Sequence, residues 1–474
     1  MAGKNAAEAV PITFVTGENW PSVRADLPPV AARFAEASRF EPLPGRLLVL
    51  AAENGGIGGV LFGLEKPDAR DRDLFLPGRL ATALPAGTYR FANAPHDVEL
   101  AALAFLLGSY RFTRYKKAEG ELASLLPPEG VDFDRLTRIA KAVAFGRDLI
   151  NVPANDMGPH ALEAAAVGLA KHFNAESTCV RGEDLLVKNF PLIHAVGRAA
   201  EETPRLVDLV WGAGDAPKVT LVGKGVCFDT GGLDIKPEAG MALMKKDMGG
   251  AATALALAQM IMDGQLPVRL RVLLPIVENA IAGNAMRPGD IYPSRKGLTV
   301  EIGNTDAEGR LILADALALA DEEAPDLLLD FATLTGAARV ALGPDLPPFY
   351  TMDETLAADI AAHGARTNDP VWRMPLWDPY DKLLDGKTGN LSNITGGPFA
   401  GSITAALFLR RFVEKTKSWA HFDIYAWNPT TKSARPEGGE VQTARLLFDL
   451  LEARYGSKAH VGARKEFSDT LSTP

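Results

Sequence analysis

The residues best suited to chemistry in this chain are carboxylates and basic groups that follow apolar runs. KVTLVGKG places Lys224 at the end of such a run, and the loop GVCFDTGGLDIKPEAG then carries Asp229 and Lys236. MALMKKDMGGAA sets Asp247 just before an alanine-rich helix, and NTDAEGR supplies Asp306, Glu308 and Arg310 after GLTVEIG. DLLLDFA runs into TLTGAA at 333–338. Asp306, Glu308 and Arg310 are spaced by two, so in an extended segment they point to one side. With Asp229 and Asp247 they would set four carboxylates at neighbouring strand ends. Four unpaired anions repel and raise one another's pKa values. Two divalent cations would balance them, and paired metals roughly 3.5–4 Å apart activate a water and clamp a carbonyl. Oxygen ligands do not choose among magnesium, manganese and zinc.

Each residue also has a plainer reading. A lone strand-end aspartate is commonly a turn residue. Asp306 and Glu308 could cap the helix that starts near Glu308. Lys224 is followed by Gly225, so the glycine-lysine-serine/threonine signature of a phosphate loop is missing. Cys227 reads as packing, since neither chain neighbour is a histidine, and His421 reads as a core or interface histidine. There is no HExxH, GxSxG or GxGxxG, which argues against thermolysin-like, serine-hydrolase and dinucleotide-binding chemistry.

Those positions need a scaffold that brings them together. After about residue 135, continuous apolar runs alternate with helical stretches. These are RLVDLVW, KVTLVGK, the helix AATALALAQMIMD, RLRVLLPIV, GLTVEIG, the helix RLILADALALADE, DLLLDFA, the helix SITAALFLRRF and AHFDIYAW. Unbroken apolar strands are buried on both faces, and helices between them predict βαβ crossovers. Ligands of such sheets sit beyond the carboxyl ends of the strands. Earlier, PITFVTG (11–17), GRLLVLAAE (45–53) and GVLFGLE (59–65) predict strands, GGIGG (55–59) a turn, and DVELAALAFLLGSYRFTRYKK (97–117) a helix. LLPPEGVDFD (125–134) breaks the periodicity and predicts a linker. The chain therefore reads as α/β. A smaller α/β N-terminal domain spans 1–130. A catalytic domain spans 131–474, with a central mixed, mostly parallel sheet flanked by helices. Residues 457–474 lack apolar periodicity and are expected to be disordered or an extension of local use.

The composition is that of a globular protein: 474 residues, 47% hydrophobic and 23% charged. Two cysteines exclude a disulfide scaffold and suggest a reducing, cytoplasmic setting. The N-terminal MAGKNAAEAVPITFVTGENW has no apolar signal core, and the longest apolar stretch, 251–262, is too short to cross a bilayer. A net charge of −9 argues against nucleic acid as a partner, although a local basic patch can hide inside that sum.

At this point a family resemblance becomes visible. GKGVCFDTGGLDIKPEAGMALMKKDMGGAA (223–252) and NTDAEGRLILADALALA (304–320) resemble the two signature segments of the leucyl aminopeptidase family, the two-metal cytosol aminopeptidases of peptidase family M17. GRDLINVPANDMGPHAL (146–162), DFATLTGAA (330–338) and AGSITAALFLRRFV (400–413) are similar too, and the resemblance runs from about 137 to 452. The resemblance implies that Lys224, Asp229, Asp247, Asp306 and Glu308 hold two divalent ions, with Asp229 and Glu308 shared. The ions would be manganese or zinc, with magnesium or cobalt as further choices. Lys224 as a ligand would need a neutral amine, which adjacent cations favour. Lys236 and Arg310 would be the catalytic pair that binds no metal, with bicarbonate held at Arg310 as general base. A water bridging the ions would be the nucleophile, and Lys236 would help to stabilise the oxyanion. Met244, Thr333, Leu334 and Gly336 would meet the N-terminal side chain of the substrate. The family also implies short peptide substrates and a homohexamer whose sites face an interior cavity. Tyr425, Ala426 and Trp427 depart from the small residues usual at that point, so a leucine preference is not implied. Two other functions fit a carboxylate cluster: a two-metal phosphoesterase, and a catalytically weak relative with a structural or DNA-binding role.

Overall fold

The computed structural model describes residues 8–117 and 120–456. It divides into two compact units, one running to residue 144 and including 430–437, the other taking 145–429 and the chain from 438 onward. The expected tail, 457–474, lies outside the described residues.

The first unit is built on five strands: β1 (Val10–Val15), β2 (Leu47–Ala51), β3 (Ile57–Gly63), β4 (Gly87–Phe91) and β5 (Ala123–Leu125), in the order β2-β3-β1-β4-β5. Only β2 runs antiparallel to its neighbour. Apolar residues decide this arrangement: Ile12, Phe14, Val60 and Phe62 are fully buried, and Phe14 meets Phe62 edge to face. The helix expected over 97–117 occupies Val98–Gly108 only. Asp97 caps its start by accepting a hydrogen bond from the Leu100 amide. Beyond Gly108 the Ser109 hydroxyl takes the Leu106 carbonyl, and the aromatic and β-branched residues that follow are weak helix formers.

The second unit carries a mixed nine-stranded sheet. Its strands are β6 (Glu176–Arg181), β7 (Arg205–Trp211), β8 (Lys218–Gly223), β9 (Gly225–Asp229), β10 (Arg269–Asn279), β13 (Leu327–Ala332), β14 (Pro348–Tyr350), β15 (Trp372–Arg373) and β17 (Trp419–Asp423). The order is β15-β14-β17-β13-β8-β10-β7-β6, with β9 also on β10. The centre, β17-β13-β8-β10, is parallel, and antiparallel pairs lie toward the edges. β13 and β17 are buried along their whole length, which is why their sequences show no polar alternation. The helices Gly249–Asp263 and Gly309–Glu322 are buried on most of their surface. Gly250 lets the first of them touch the sheet: a Cβ there would come within 2.2 Å of the Phe331 carbonyl oxygen.

Two expectations change. The stretch 225–229, read as loop, is strand β9. β10 is long enough to pair β8 with its first half and β9 with its second, so the chain stays extended through Lys224. GLTVEIG does not join the central sheet. Its core, β12 (Thr299–Glu301), lies in a separate three-stranded sheet between β11 (Ile291–Pro293) and β16 (Leu391–Ser392). The acidic segment after it therefore reaches the site from a second sheet. Among the described residues, no helix is long and apolar enough to cross a membrane.

Candidate metal centre

Lys224 sits between β8 and β9, where its amide donates to the Phe331 carbonyl and its carbonyl accepts from the Ala251 amide. Both bonds fix the lysine against β13 and the start of helix Gly249–Asp263. Asp229 closes β9, opposite Asn279 at the end of β10. The next residues, Gly231 and Gly232, take φ of +87° and +65°, values that glycine adopts without cost. That turn lets Asp229 Oδ1 accept from the Gly231 amide at 2.9 Å and from Asn279 Nδ2 at 2.8 Å. Asp247 lies in the short helix Met244–Met248, and Thr333 Oγ1 donates to its Oδ1 at 2.7 Å.

The segment 304–310 is not extended, contrary to the spacing argument. Asn304 Oδ1 accepts from the Asp306 amide, and Glu308 stands at the N-cap of helix Gly309–Glu322 in helical conformation. Turn geometry, not strand alternation, brings Asp306 and Glu308 together, and it sends Arg310 elsewhere. Arg310 Nη1 donates to the Asn393 carbonyl at 2.6 Å. The capping alternative does not hold for Glu308, whose side chain makes no cap hydrogen bond.

The result is a cluster in which Asp229 and Glu308 are buried and Asp306 is partly exposed. Asp229, Asp306 and Glu308 each offer a carboxylate oxygen within 4.8 Å of the others. Two lysines divide the four acids between them. Lys224 Nζ lies 2.6 Å from Asp247 and 2.9 Å from Glu308, and also donates to the Thr333 carbonyl. Lys236 Nζ pairs with Asp229 at 2.8 Å and with Asp306. Two ammonium groups cannot neutralise four carboxylates, and the strain appears in the titration. Burial and the charge of Asp229 push Glu308 up to about 8 and Asp306 up to about 6. Burial opposes the charge on Lys224 and on Lys236, yet the surrounding carboxylates override it and hold both above the ordinary lysine value. Burial also opposes the charge of Asp247, and Lys224 and Lys246 overcome it to hold that pKa low.

Glu308 is 1% exposed, and neither of its carboxylate oxygens has an aligned hydrogen-bond partner; the same is true of Asp247 Oδ2 and Asp306 Oδ1. Buried carboxylate oxygens left this way are costly. A hard divalent cation is what such a donor set accommodates. Cys227, by contrast, is buried, and its thiol is held well above its usual pKa by that burial, which leaves no thiolate nucleophile. His421 is buried within β17, against Asp330 and stacked on Tyr350.

Sequence reading overlooked several residues that shape this site. Asn279 holds Asp229 and also donates to the Thr305 carbonyl. Asp423, at the end of β17, accepts from the Leu334 and Thr335 amides and the Thr335 hydroxyl, so it fixes the loop 333–336. Asn393 receives Arg310 and accepts from the Gly303 amide. Lys246 is buried beside Asp247, and its burial pushes its pKa down to about 7. The only sequence signal for these residues was a polar residue closing or following an apolar run. Met244 opens the helix that carries Asp247, and Gly336 starts helix Gly336–Leu342, where an added Cβ would come 3.7 Å from the Arg339 side chain.

Carboxylates and lysine gathered beyond the carboxyl ends of parallel strands, with buried oxygens lacking aligned hydrogen bonds, are the arrangement a metallohydrolase centre on an α/β sheet requires. Comparison with known proteins agrees. Residues 144–448 match the cytosol aminopeptidase family catalytic domain, and residues 10–128 match the M17 aminopeptidase N-terminal domain. A probable cytosol aminopeptidase of Syntrophotalea carbinolica is 40% identical over 373 residues, 75% of each chain. One from Xanthomonas oryzae pv. oryzae is 38% identical over 410 residues, 83% of each. The crystal structure of the Coxiella burnetii cytosol aminopeptidase superposes with a TM-score of 0.91 at 45% identity, over 95% of this chain and 98% of that one. The bottromycin maturation enzyme BotP in complex with Mn does so with a TM-score of 0.82 at 31% identity, over 94% and 99%. The chain belongs to the cytosol aminopeptidase family, M17. It is a divalent-metal-dependent exopeptidase that removes N-terminal residues from peptides. The phosphoesterase and the structural or DNA-binding alternatives are not favoured.

Proposed function

We propose that Lys224, Asp229, Asp247, Asp306 and Glu308 hold two divalent ions, with Asp229 and Glu308 shared, and that Lys236 and Arg310 are the catalytic pair. The observation that carries this reading is the buried Glu308 carboxylate, without an aligned hydrogen bond and with its pKa raised beside Asp229. Ions bound there would activate the attacking water and polarise the scissile carbonyl. Manganese or zinc suits the donor set, and magnesium or cobalt also accepts oxygen ligands. The Mn complex of BotP supports manganese.

The chain's own groups divide the remaining work. Lys236 is poised among Asp229 and Asp306 to donate to the oxygen that gains charge as the carbonyl becomes tetrahedral. Arg310 keeps its Nε buried without a hydrogen-bond partner among the described residues, which suits a planar anion. Bicarbonate at that edge would supply a general base. Met244, Thr333, Leu334 and Gly336 would flank the N-terminal side chain of the substrate. Thr333 is tied to Asp247, and Asp423 holds the Leu334 amide. Short peptides as substrates, a homohexamer and a cytoplasmic location belong to the same reading. The relatives' name, cytosol aminopeptidase, supports the location. A domain boundary near residue 130, between β5 and the helix Phe133–Asn151, is proposed as well.

The test is hydrolysis of aminoacyl p-nitroanilides and short peptides after chelation and after manganese or zinc is restored, with Glu308→Ala alongside. Stepwise release of N-terminal residues that needs metal and vanishes in the variant supports the assignment. Full activity and metal content in Glu308→Ala would overturn it.

A further inference from the structure

Lys236 stands at the end of a loop with no buried apolar side chain. The loop leaves the sheet at Asp229, turns on Gly231 and Gly232, and returns the Lys236 amide to the Thr230 carbonyl at 3.0 Å. Its two apolar side chains, Leu233 and Ile235, are 39% and 59% exposed. Hydrogen bonds must therefore hold it. At its start Thr230 Oγ1 donates to the Asn279 carbonyl, at the end of β10, at 2.7 Å. Its far limb is joined to Thr305, which is fully buried. The Thr305 amide donates to Asp234 Oδ2 at 2.7 Å, and the Asp234 amide donates to Thr305 Oγ1 at 2.8 Å. The same hydroxyl donates to the Gly231 carbonyl at 2.6 Å. Such a reciprocal pair fixes both the distance and the rotation of one segment against the other.

Thr305 is the chain neighbour of Asp306, and Asp234 lies two residues before Lys236. The pair thus sets the segment carrying Asp306 against the segment carrying Lys236. A lysine needs that control, because its ammonium is a compact charge on a flexible four-carbon stem. At its tip Lys236 Nζ meets Asp229 and Asp306. Both acids are proposed metal ligands, so their oxygens are not reserved for the ammonium. The root of the side chain is what the loop controls. There is little slack in it: a Cβ on Gly231 would lie 2.5 Å from the Asp234 carbonyl oxygen and 3.0 Å from the Lys236 nitrogen. A misplacement on the order of 1 Å can lower a rate about 100-fold.

We propose that Asp234 and Thr305 form a latch that positions Lys236 to donate to the developing oxyanion. The proposal rests on the assignment of Lys236 to that role. Asp234 acts through an acceptor oxygen and not through its charge, since the group it holds is a neutral amide.

The experiment measures kcat, KM and bound metal on the metal-loaded full chain, with leucyl and alanyl p-nitroanilides. Asp234→Ala should lower kcat by about 10–100-fold, with KM within about threefold and metal content unchanged. Asp234→Asn keeps an acceptor oxygen and should recover most of that loss. Thr305→Val should fall as Asp234→Ala does, and Thr305→Ser should recover. The decisive arm is the double variant. If Asp234 acts through Lys236, Asp234→Ala adds no further loss to Lys236→Met, whereas a change that only loosens the fold lowers both backgrounds alike. An unaltered kcat in Asp234→Ala, loss of its metal, an Asp234→Asn as impaired as Asp234→Ala, or the full Asp234→Ala effect persisting beside Lys236→Met overturns the latch and leaves the aminopeptidase intact. Full kcat in Lys236→Met alone overturns the catalytic assignment of Lys236, and this proposal with it.

Discussion

Beyond the carboxyl ends of parallel strands the first unit places a hollow and the second a cluster of carboxylates, yet only the second is equipped for chemistry. In the first unit a cavity of about 410 Å³ is lined by Phe14, Thr16, Glu18, Asn19 and His96, among others. Two of its polar groups are spent on the fold. Asn19 accepts from the Thr16 amide, and a ring nitrogen of His96 bonds the Glu65 carbonyl. In the second unit the strand ends of β8, β9 and β13 meet the turn after β12, and there the carboxylates outnumber what the protein offers them. Strand topology makes a place for a ligand. Unsatisfied donors and acceptors turn the place into a reactive site.

The largest effect that would sharpen this contrast is the loss of Glu308. Glu308→Ala is expected to reduce kcat/KM by about 10³-fold or more, with loss of bound metal by elemental analysis, because it deletes a proposed ligand. Lys236→Met comes next. Removing one positioned donor to developing charge is expected to lower kcat by about 10²–10³-fold while metal content stays unchanged. Lost metal in that variant would move Lys236 from catalysis to metal binding. Asn279→Ala probes support rather than contact. Since Asn279 orients Asp229, metal affinity is expected to fall by about 10–100-fold, measured by competition with a chelating dye.

A smaller effect is expected on the stability of chelated protein. Glu308 holds its proton up to about 8 in the folded chain, whereas an unfolded glutamate releases it in the ordinary carboxylate range. The folded state thus binds the extra proton between those values. Its contribution is fully present at acid pH and is lost as pH rises through about 8. Thermal unfolding of chelated protein should show that decline, and Glu308→Gln should flatten it. A decline that persists in Glu308→Gln would place the titration elsewhere. The smallest effect belongs to the first unit: His96→Ala should leave kcat/KM within about twofold, as expected of a surface change away from the chemistry. A larger loss would mean that the first hollow takes part in function and would break the comparison.

Much of the site was legible because its residues are local in sequence. NTDAEGRL and the stretch from Lys224 to Asp247 carry every proposed metal ligand, and their types announce oxygen chemistry. Their spacing misled in one respect. Asp306, Glu308 and Arg310 suggested a strand, but the Asn304 turn and the helix start make a bend that keeps Arg310 apart, on Asn393. The supporting residues were hidden for a general reason. Asn279, Asn393 and Asp423 lie tens of residues from the groups they hold, and a single polar residue after an apolar run resembles any other turn.

By itself the sequence determined the α/β class, the unbroken apolar strands and the identity of the acidic and basic groups, since these follow from local pattern and residue chemistry. Tertiary structure alone decided which of them meet. It drew β12 out of the central sheet, divided four carboxylates between two lysines, and buried Lys246 against the ring of Tyr425. Distance and desolvation set those outcomes. Both are properties of chain segments folded against one another, and neither can be read from positions along a line.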